Sequence, residues 1–173
     1  MNLQEASELV TFKTERSFSQ RWLDLGSGTG LFTLALARQL PDSSIIVAVD
    51  KTEMDLKQIP KTFNRVTIET RLADFIKDDL RQRDIDGILM ANSFHYVADK
   101  NSLLHKLIPL MKKDSSFLVV EYDMDSANKW VPYPLSMDAA KELFAKRGFT
   151  NFQLLGIRPS VYGRRHMYAA LIS

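Results

Sequence analysis

The sequence predicts an α/β fold, an open, doubly wound and mostly parallel sheet with helices on both faces. Two observations lead. The apolar run Trp22-Leu23-Asp24-Leu25 enters the turn Gly26-Ser27-Gly28-Thr29-Gly30, and a helical apolar face follows over about residues 29–40, with Pro41 as its stop. Further short apolar runs at 44–49, 66–71, 87–92 and 116–122 then alternate with helical or turn-rich stretches. Strand, glycine turn, helix is how such a sheet opens a ligand crevice at the carboxyl ends of its strands. Glycine supplies the left-handed backbone and removes the Cβ that would hold a ligand away. The helix that follows presents unpaired N–H groups to an anion.

The elements follow in order. Leu3, Ala6, Leu9 and Val10 share one face of a short amphipathic helix, and the polar residues 11–20 read as a connection. After the first strand and its helix, residues 44–49 are almost continuously apolar, as in a strand buried on both faces, and end in Asp50 followed by Lys51. A short helix is expected over 52–58, stopped before Pro60. The third strand, 66–71, runs into Leu72-Ala73-Asp74-Phe75, and the fourth, 87–92, into Ser93-Phe94-His95-Tyr96-Val97. Leu103, Leu104, Leu107, Ile108 and Met111 form the stripe of a helix over 99–111. The fifth strand, 116–122, ends in Glu121-Tyr122, and Asp123 follows. Ser136 is placed to cap a helix over 137–146, with Gly148 as its stop. Late strands at 151–157 and 165–172 close the chain.

Composition narrows the class. A length of 173 residues suits one core and is short for two, so 1–173 reads as a single domain, with 1–20 as a short N-terminal helix or lid and 21–173 as the core. The start lacks a basic segment followed by an apolar one, which makes a cytoplasmic location the expectation. No apolar run approaches the roughly 18 residues that span a bilayer. Absence of cysteine excludes disulfides and thiolate chemistry. Three dispersed histidines show no metal-ligand spacing; His105 lies on the polar side of its helix and His166 beside Arg164 and Arg165. A net charge of +2 argues against a strong nucleic-acid footprint, and Lys77, Arg81 and Arg83 alternate with acids as a solvated surface does.

The glycine spacing separates cofactors. A dinucleotide fingerprint reads G-x-G-x-x-G, which here requires glycine at 31, where the chain has leucine. The actual pattern, Asp24-Leu25-Gly26-Ser27-Gly28-Thr29-Gly30, resembles motif I of the class I S-adenosylmethionine-dependent methyltransferases, close to D-x-G-x-G-x-G. The resemblance runs from about residue 20 to the end. It implies a seven-stranded Rossmann-like sheet with an antiparallel last strand in three α/β/α layers, and S-adenosylmethionine as cofactor. It implies cofactor contacts from Asp24, Gly26, Ser27, Gly28 and Gly30, ribose binding by Asp50 with Lys51 beside it, and adenine contacts from Asp74 and Phe75. The segment from Asn92 through Tyr96 resembles motif IV, with Asn92 at the cofactor.

Methyl transfer from a sulfonium is an in-line displacement, so positioning is the protein's main task, worth on the order of 7–11 kcal/mol. A base is needed only when the nucleophile arrives protonated. His95 is the candidate base, because an unperturbed imidazole titrates near neutral pH; the plainer reading is a hydrogen-bonded residue at a strand end that supports the pocket. Tyr96 and Glu121 come from the same strand ends and are the other candidate catalytic residues. Trp130 and Tyr133, in a segment stiffened by Pro132 and Pro134, are candidates for a substrate rim or for pinning the loop. A small-molecule substrate is the leading expectation, with no membrane or metal partner. RNA or protein methylation and a non-catalytic cofactor-binding scaffold remain as alternatives.

Overall fold

In the computed structural model, which describes residues 1–13, 17–159 and 166–173, eight strands make one sheet. They are β1 (Arg21–Leu25), β2 (Ile45–Asp50), β3 (Thr62–Phe63), β4 (Val66–Leu72), β5 (Ile85–Ala91), β6 (Met111–Tyr122), β7 (Phe152–Pro159) and β8 (His166–Ile172). The spatial order is β3-β4-β2-β1-β5-β6-β8-β7. β4, β2, β1, β5 and β6 are parallel neighbours, whereas β8 is antiparallel to both β6 and β7. From β1 the chain steps outward to β2 and β4, then crosses back to β5 on the other side of β1. That reversal puts the topological switch point between the carboxyl ends of β1 and β5, where such sheets hold ligands.

Among the described residues, five α-helices cover the sheet: α1 (Leu3–Leu9), α2 (Leu31–Ala37), α3 (Glu53–Leu56), α4 (Lys100–Leu107) and α5 (Met137–Ala145). The period of two along each strand divides the core. Leu23, Val47, Ile88, Phe117 and Val119 face α4 and α5 through Leu103, Leu104, Leu107, Ala140 and Phe144. Trp22, Ile46, Leu89, Leu118 and Val120 face α1 and α2 through Ala6, Leu9, Phe32 and Leu36. Gly87 is required beneath Trp22, because a Cβ there would lie 2.4 Å from the indole ring. α1 is part of this core, and Arg158 on β7 pairs with its Glu5.

Several expectations are corrected. The strand count rises from seven to eight because Thr62–Phe63 folds back on Val66 through Asn64 and Arg65, both left-handed at φ 49° and 62°. Two such residues make the two-residue hairpin turn that matches strand twist. α2 begins only at Leu31, since Gly28 and Gly30 hold positive φ and extend the turn. α4 ends at Leu107, and Ile108–Leu110 continue as one tighter turn around Pro109, which lacks an N–H to donate. Ser136 occupies the cap position of α5 without a side-chain capping bond; Asp123 Oδ1 accepts the Met137 N–H at 2.8 Å instead.

Between β4 and β5 the chain makes turns. Their carbonyls are taken up by two cations: Arg71 reaches Asp79 and Leu80, and Lys106 reaches Phe75, Ile76 and Asp78. Lys77, Arg81 and Arg83 are exposed there, as are His105 and His166 elsewhere. Arg164 and Arg165, the latter the expected start of the last strand, lie outside the described residues, as do residues 14–16 of the predicted connection.

Candidate active site

β1 delivers the chain into a loop tied to β2. The Gly26 and Ser27 N–H groups both donate to the Val49 carbonyl, at 2.8 and 3.1 Å. Gly28 N–H donates to Asp50 Oδ2 at 2.8 Å, and Thr52 N–H to Asp50 Oδ1 at 2.9 Å. Asp50 therefore fixes the loop while each of its oxygens keeps further acceptor capacity. The three glycines do different work. A Cβ on Gly26 would lie 2.5 Å from Ser93 Cβ, and one on Gly30 2.8 Å from Ile59 Cγ1, so these two let neighbouring elements close in. A Cβ on Gly28 would meet nothing within 4 Å. The open face of the loop is at Gly28.

The other acids separate by burial. Asp24 is 1% exposed, on the β1 face that α2 covers, and Thr33 Oγ1 donates to its Oδ2 at 2.5 Å. Burial, and secondarily the charge of Asp50, raise its pKa to about 7 against the restraining Thr33 bond. Asp24 thus braces β1 against α2. Asp74 accepts the Ile76 N–H at 3.0 Å and pairs with Lys77 at 3.6 Å, shaping the turn that carries the half-buried Phe75. The Phe75 ring and Ser93 both stand against Gly26. Lys51 is exposed.

Across the switch point, β5 ends in Asn92, held left-handed at φ 52°. Ser93 Oγ donates to the Leu25 carbonyl at 2.6 Å, stitching the β5 end to the β1 end. The following tight turn, Phe94–Tyr96, puts His95 against Glu121 of β6. Both are buried, at 3% and 0% exposure. Glu121 Oε1 accepts the His95 backbone N–H at 3.1 Å, and Oε2 lies 2.7 Å from Nδ1. An ionised carboxylate only accepts, so this pair is satisfied with the hydrogen on Nδ1.

Beside the dyad, Tyr96 (55% exposed), Trp130 (73%) and Tyr133 (46%) turn aromatic surface outward. Backbone bonds tie the segment to the domain. Tyr133 N–H donates to the His95 carbonyl at 3.0 Å, and Asn128 Oδ1 accepts the Trp130 and Val131 N–H groups. Lys100 Nζ donates to the Tyr133 and Val97 carbonyls at 2.7 and 2.9 Å, over the Phe94 ring. Burial lowers the Lys100 pKa, and the Glu121 charge opposes that shift. Thr33 and Lys100 are the two site residues that sequence reasoning missed; neither sits in a motif, and only the folded chain shows their partners.

Two buried side-chain oxygens lack a hydrogen-bond partner among the described residues, Ser27 Oγ and Asn92 Oδ1. Orphaned acceptors of this kind are costly unless a ligand satisfies them. Together with the open Gly28 face and the spare capacity of Asp50, they fit a polar adenosyl amino acid. The model of a methyltransferase domain family matches residues 23–114, more than half of the chain. The chain belongs to the class I S-adenosylmethionine-dependent methyltransferases.

Solved methyltransferases share the fold. A SAM-dependent methyltransferase from Leishmania major is 18% identical with a TM-score of 0.69, covering 96% of this chain and 70% of its own. One from Aquifex aeolicus is 15% identical at 0.64, covering 99% and 89%. The plantazolicin methyltransferase BpumL, in complex with SAH, is 16% identical at 0.62, covering 99% and 81%. No curated protein matches the chain in sequence. S-adenosylmethionine, from which this family takes its name, supplies a sulfonium methyl group when bound. Among the described residues no helix is long and apolar enough to cross a membrane, and no group of three His, Cys, Asp or Glu side chains could hold a metal ion. A groove of about 720 Å³ between Lys112, Arg147, Phe149 and Ser173 lies at the amino-terminal end of β6, the opposite pole from the crevice.

Proposed function

We propose that this methyltransferase acts on a small-molecule nucleophile, with cofactor and substrate meeting between the carboxyl ends of β1, β2 and β5. The backbone of Gly26, Ser27, Gly28 and Gly30 would line the cofactor, braced by Asp24 through α2. Asp50, with Lys51 beside it, would take the ribose hydroxyls, because its two oxygens match a vicinal diol. Asp74 and Phe75 would border the adenine, and Ser27 Oγ and Asn92 Oδ1 would accept from the remaining donors.

The observation that carries this assignment is the coincidence of the Cβ-free face at Gly28 with those two orphaned oxygens. A small substrate is favoured by the charge pattern: Lys77 is paired with Asp74 and Arg81 with Asp79, which weakens the hold of this flank on phosphates. Calorimetry with S-adenosylhomocysteine tests the site. Gly28→Val and Asp50→Ala should each weaken binding by about tenfold or more, equivalent to about 1.4 kcal/mol, while circular dichroism stays native. Unchanged affinity in both variants refutes the assignment, and salt-sensitive binding of bulk RNA would move the substrate to nucleic acid.

A further inference from the structure

We infer that the acceptor atom is the hydroxyl oxygen of a planar aromatic ring, a phenol or hydroxylated heteroaromatic, with His95 Nε2 as proton acceptor and Glu121 as the residue that positions it. This rests on the reading above and extends it to the substrate. Both Glu121 oxygens are engaged by His95, one on the backbone N–H and one at Nδ1. The tautomer that satisfies this arrangement leaves the lone pair on Nε2, which makes no hydrogen bond among the described residues. A buried imidazole held in this way is equipped to take a proton. A nucleophile that arrives unprotonated, such as a thioether or a neutral amine, has no need of one before it attacks.

The acidity of the hydroxyl then selects the class. A phenol, with a pKa of about 10, lies roughly four units above an ordinary imidazole, whereas a hydroxyl of water-like acidity lies roughly nine above it. Only the first transfer is within easy reach of a histidine. The surroundings agree in shape. Tyr96, Trp130 and Tyr133 offer exposed ring surface on segments tied to the His95 turn by the Tyr133 N–H and by Lys100. Stacking on such rings favours a flat partner.

The charged and titratable groups around the dyad are Lys100 on α4, Tyr168 on β8, Asp123 beyond β6, and Tyr96 and Tyr122, whose rings lie 4.3 and 6.1 Å from the imidazole. Tyr168 hydroxyl donates to the Leu135 carbonyl, and its pKa is raised by burial and by the charges of Glu121 and Asp123, so it stays neutral. In the transfer, the O–H bond breaks with its proton going to Nε2. The phenol oxygen bonds to the methyl carbon as the carbon–sulfur bond breaks, the electron pair staying on sulfur. A methyl ether and a neutral thioether result, and the imidazolium returns the proton to solvent.

The test uses 4-nitrophenol, whose phenolate absorbs in the visible, with the protein saturated in S-adenosylhomocysteine. The wild type should bind it saturably and develop the phenolate band about one pH unit below the free compound. Trp130→Ala should weaken binding about tenfold. His95→Asn and the near-isosteric Glu121→Gln should still bind S-adenosylhomocysteine in calorimetry but lose the displaced titration. A phenolate band that titrates as in free solution, or equal displacement in wild type and both dyad variants, overturns the inference and leaves the cofactor site standing. Failure of the wild type to bind S-adenosylhomocysteine removes the cofactor site, and the inference with it.

Discussion

Replacing Asp24 by asparagine should stabilise the fold, and more so as pH rises. Asp24 is 1% exposed, and its folded pKa is raised from 3.8 to about 7, first by burial. The sign follows from proton counting. Between those two values the folded state binds more protons at this site than the unfolded state, so stability falls as pH rises through the window. Each unit of separation is worth about 1.36 kcal/mol, so a group raised by about three units costs the fold about 4 kcal/mol once pH exceeds 7. Part of that penalty is already present at pH 5, and it grows by about 2–3 kcal/mol between pH 5 and pH 8. Asparagine removes the titration and keeps an oxygen for Thr33 Oγ1 to donate to. Differential scanning calorimetry of wild type and Asp24→Asn at the two pH values checks this. At about 2–4 °C per kcal/mol for a chain of this length, the Tm advantage of the variant should widen by roughly 5–10 °C from pH 5 to pH 8. An advantage of equal size at both values would show that Asp24 does not carry an anomalous proton and would refute the reasoning.

Two further predictions concern the loop and the rim. Gly26→Ala forces a side chain into a left-handed backbone at φ 79° and against Ser93 Cβ at 2.5 Å, whereas Gly28→Ala meets only the backbone penalty at φ 51°. Urea unfolding should therefore show a loss of about 2–4 kcal/mol for the first and about 1–2 kcal/mol for the second; equal losses would contradict the packing described at Gly26. Lys100→Met removes the two carbonyl contacts that tie Tyr133 and Val97 together. It should cost about 1–2 kcal/mol and speed amide hydrogen exchange across 128–134, and unchanged protection of Tyr133 N–H would show that Lys100 is not the clamp.

The parallel strands were legible because burial on both faces demands long apolar runs, and the place of Asp50 at the end of β2 because the run before it is apolar and the helix after it is polar. What escaped was set by tertiary contact. β3 hides behind Arg65, a residue whose left-handed backbone no propensity announces. The cap of α5 comes from Asp123, fourteen positions before the N–H it accepts, because the end of β6 happens to stand there. His95 and Glu121 were each visible as strand-end residues, yet the bond between them follows from the register that pairs Ala91 with Val120. The aromatic segment 128–134 was visible as composition, but whether its rings face inward or outward depends on Lys100 and on a backbone bond to His95, which no pattern in the chain displays.

Three carboxylates at neighbouring strand ends show how environment divides one functional group among three tasks. Asp50 is half-buried and each oxygen holds a single backbone N–H, so it keeps room for a ligand. Asp24, one strand over and sealed beneath α2, meets one hydroxyl in place of water, and the same group becomes reluctant to ionise. Glu121 is as deeply buried as Asp24 but has two N–H donors directed at it from His95, which compensate for lost hydration. The difference between the last two lies in the donors supplied, since burial is common to both. That argument makes a direct demand on the molecule: deleting the imidazole without replacing its donor, as in His95→Ala, should leave Glu121 buried with only the backbone N–H and one oxygen unpaired. A double-mutant cycle on His95→Ala and Glu121→Gln in urea unfolding should then show a coupling of about 1 kcal/mol or more, and additive losses would mean that the dyad is a neighbourly contact and not a unit.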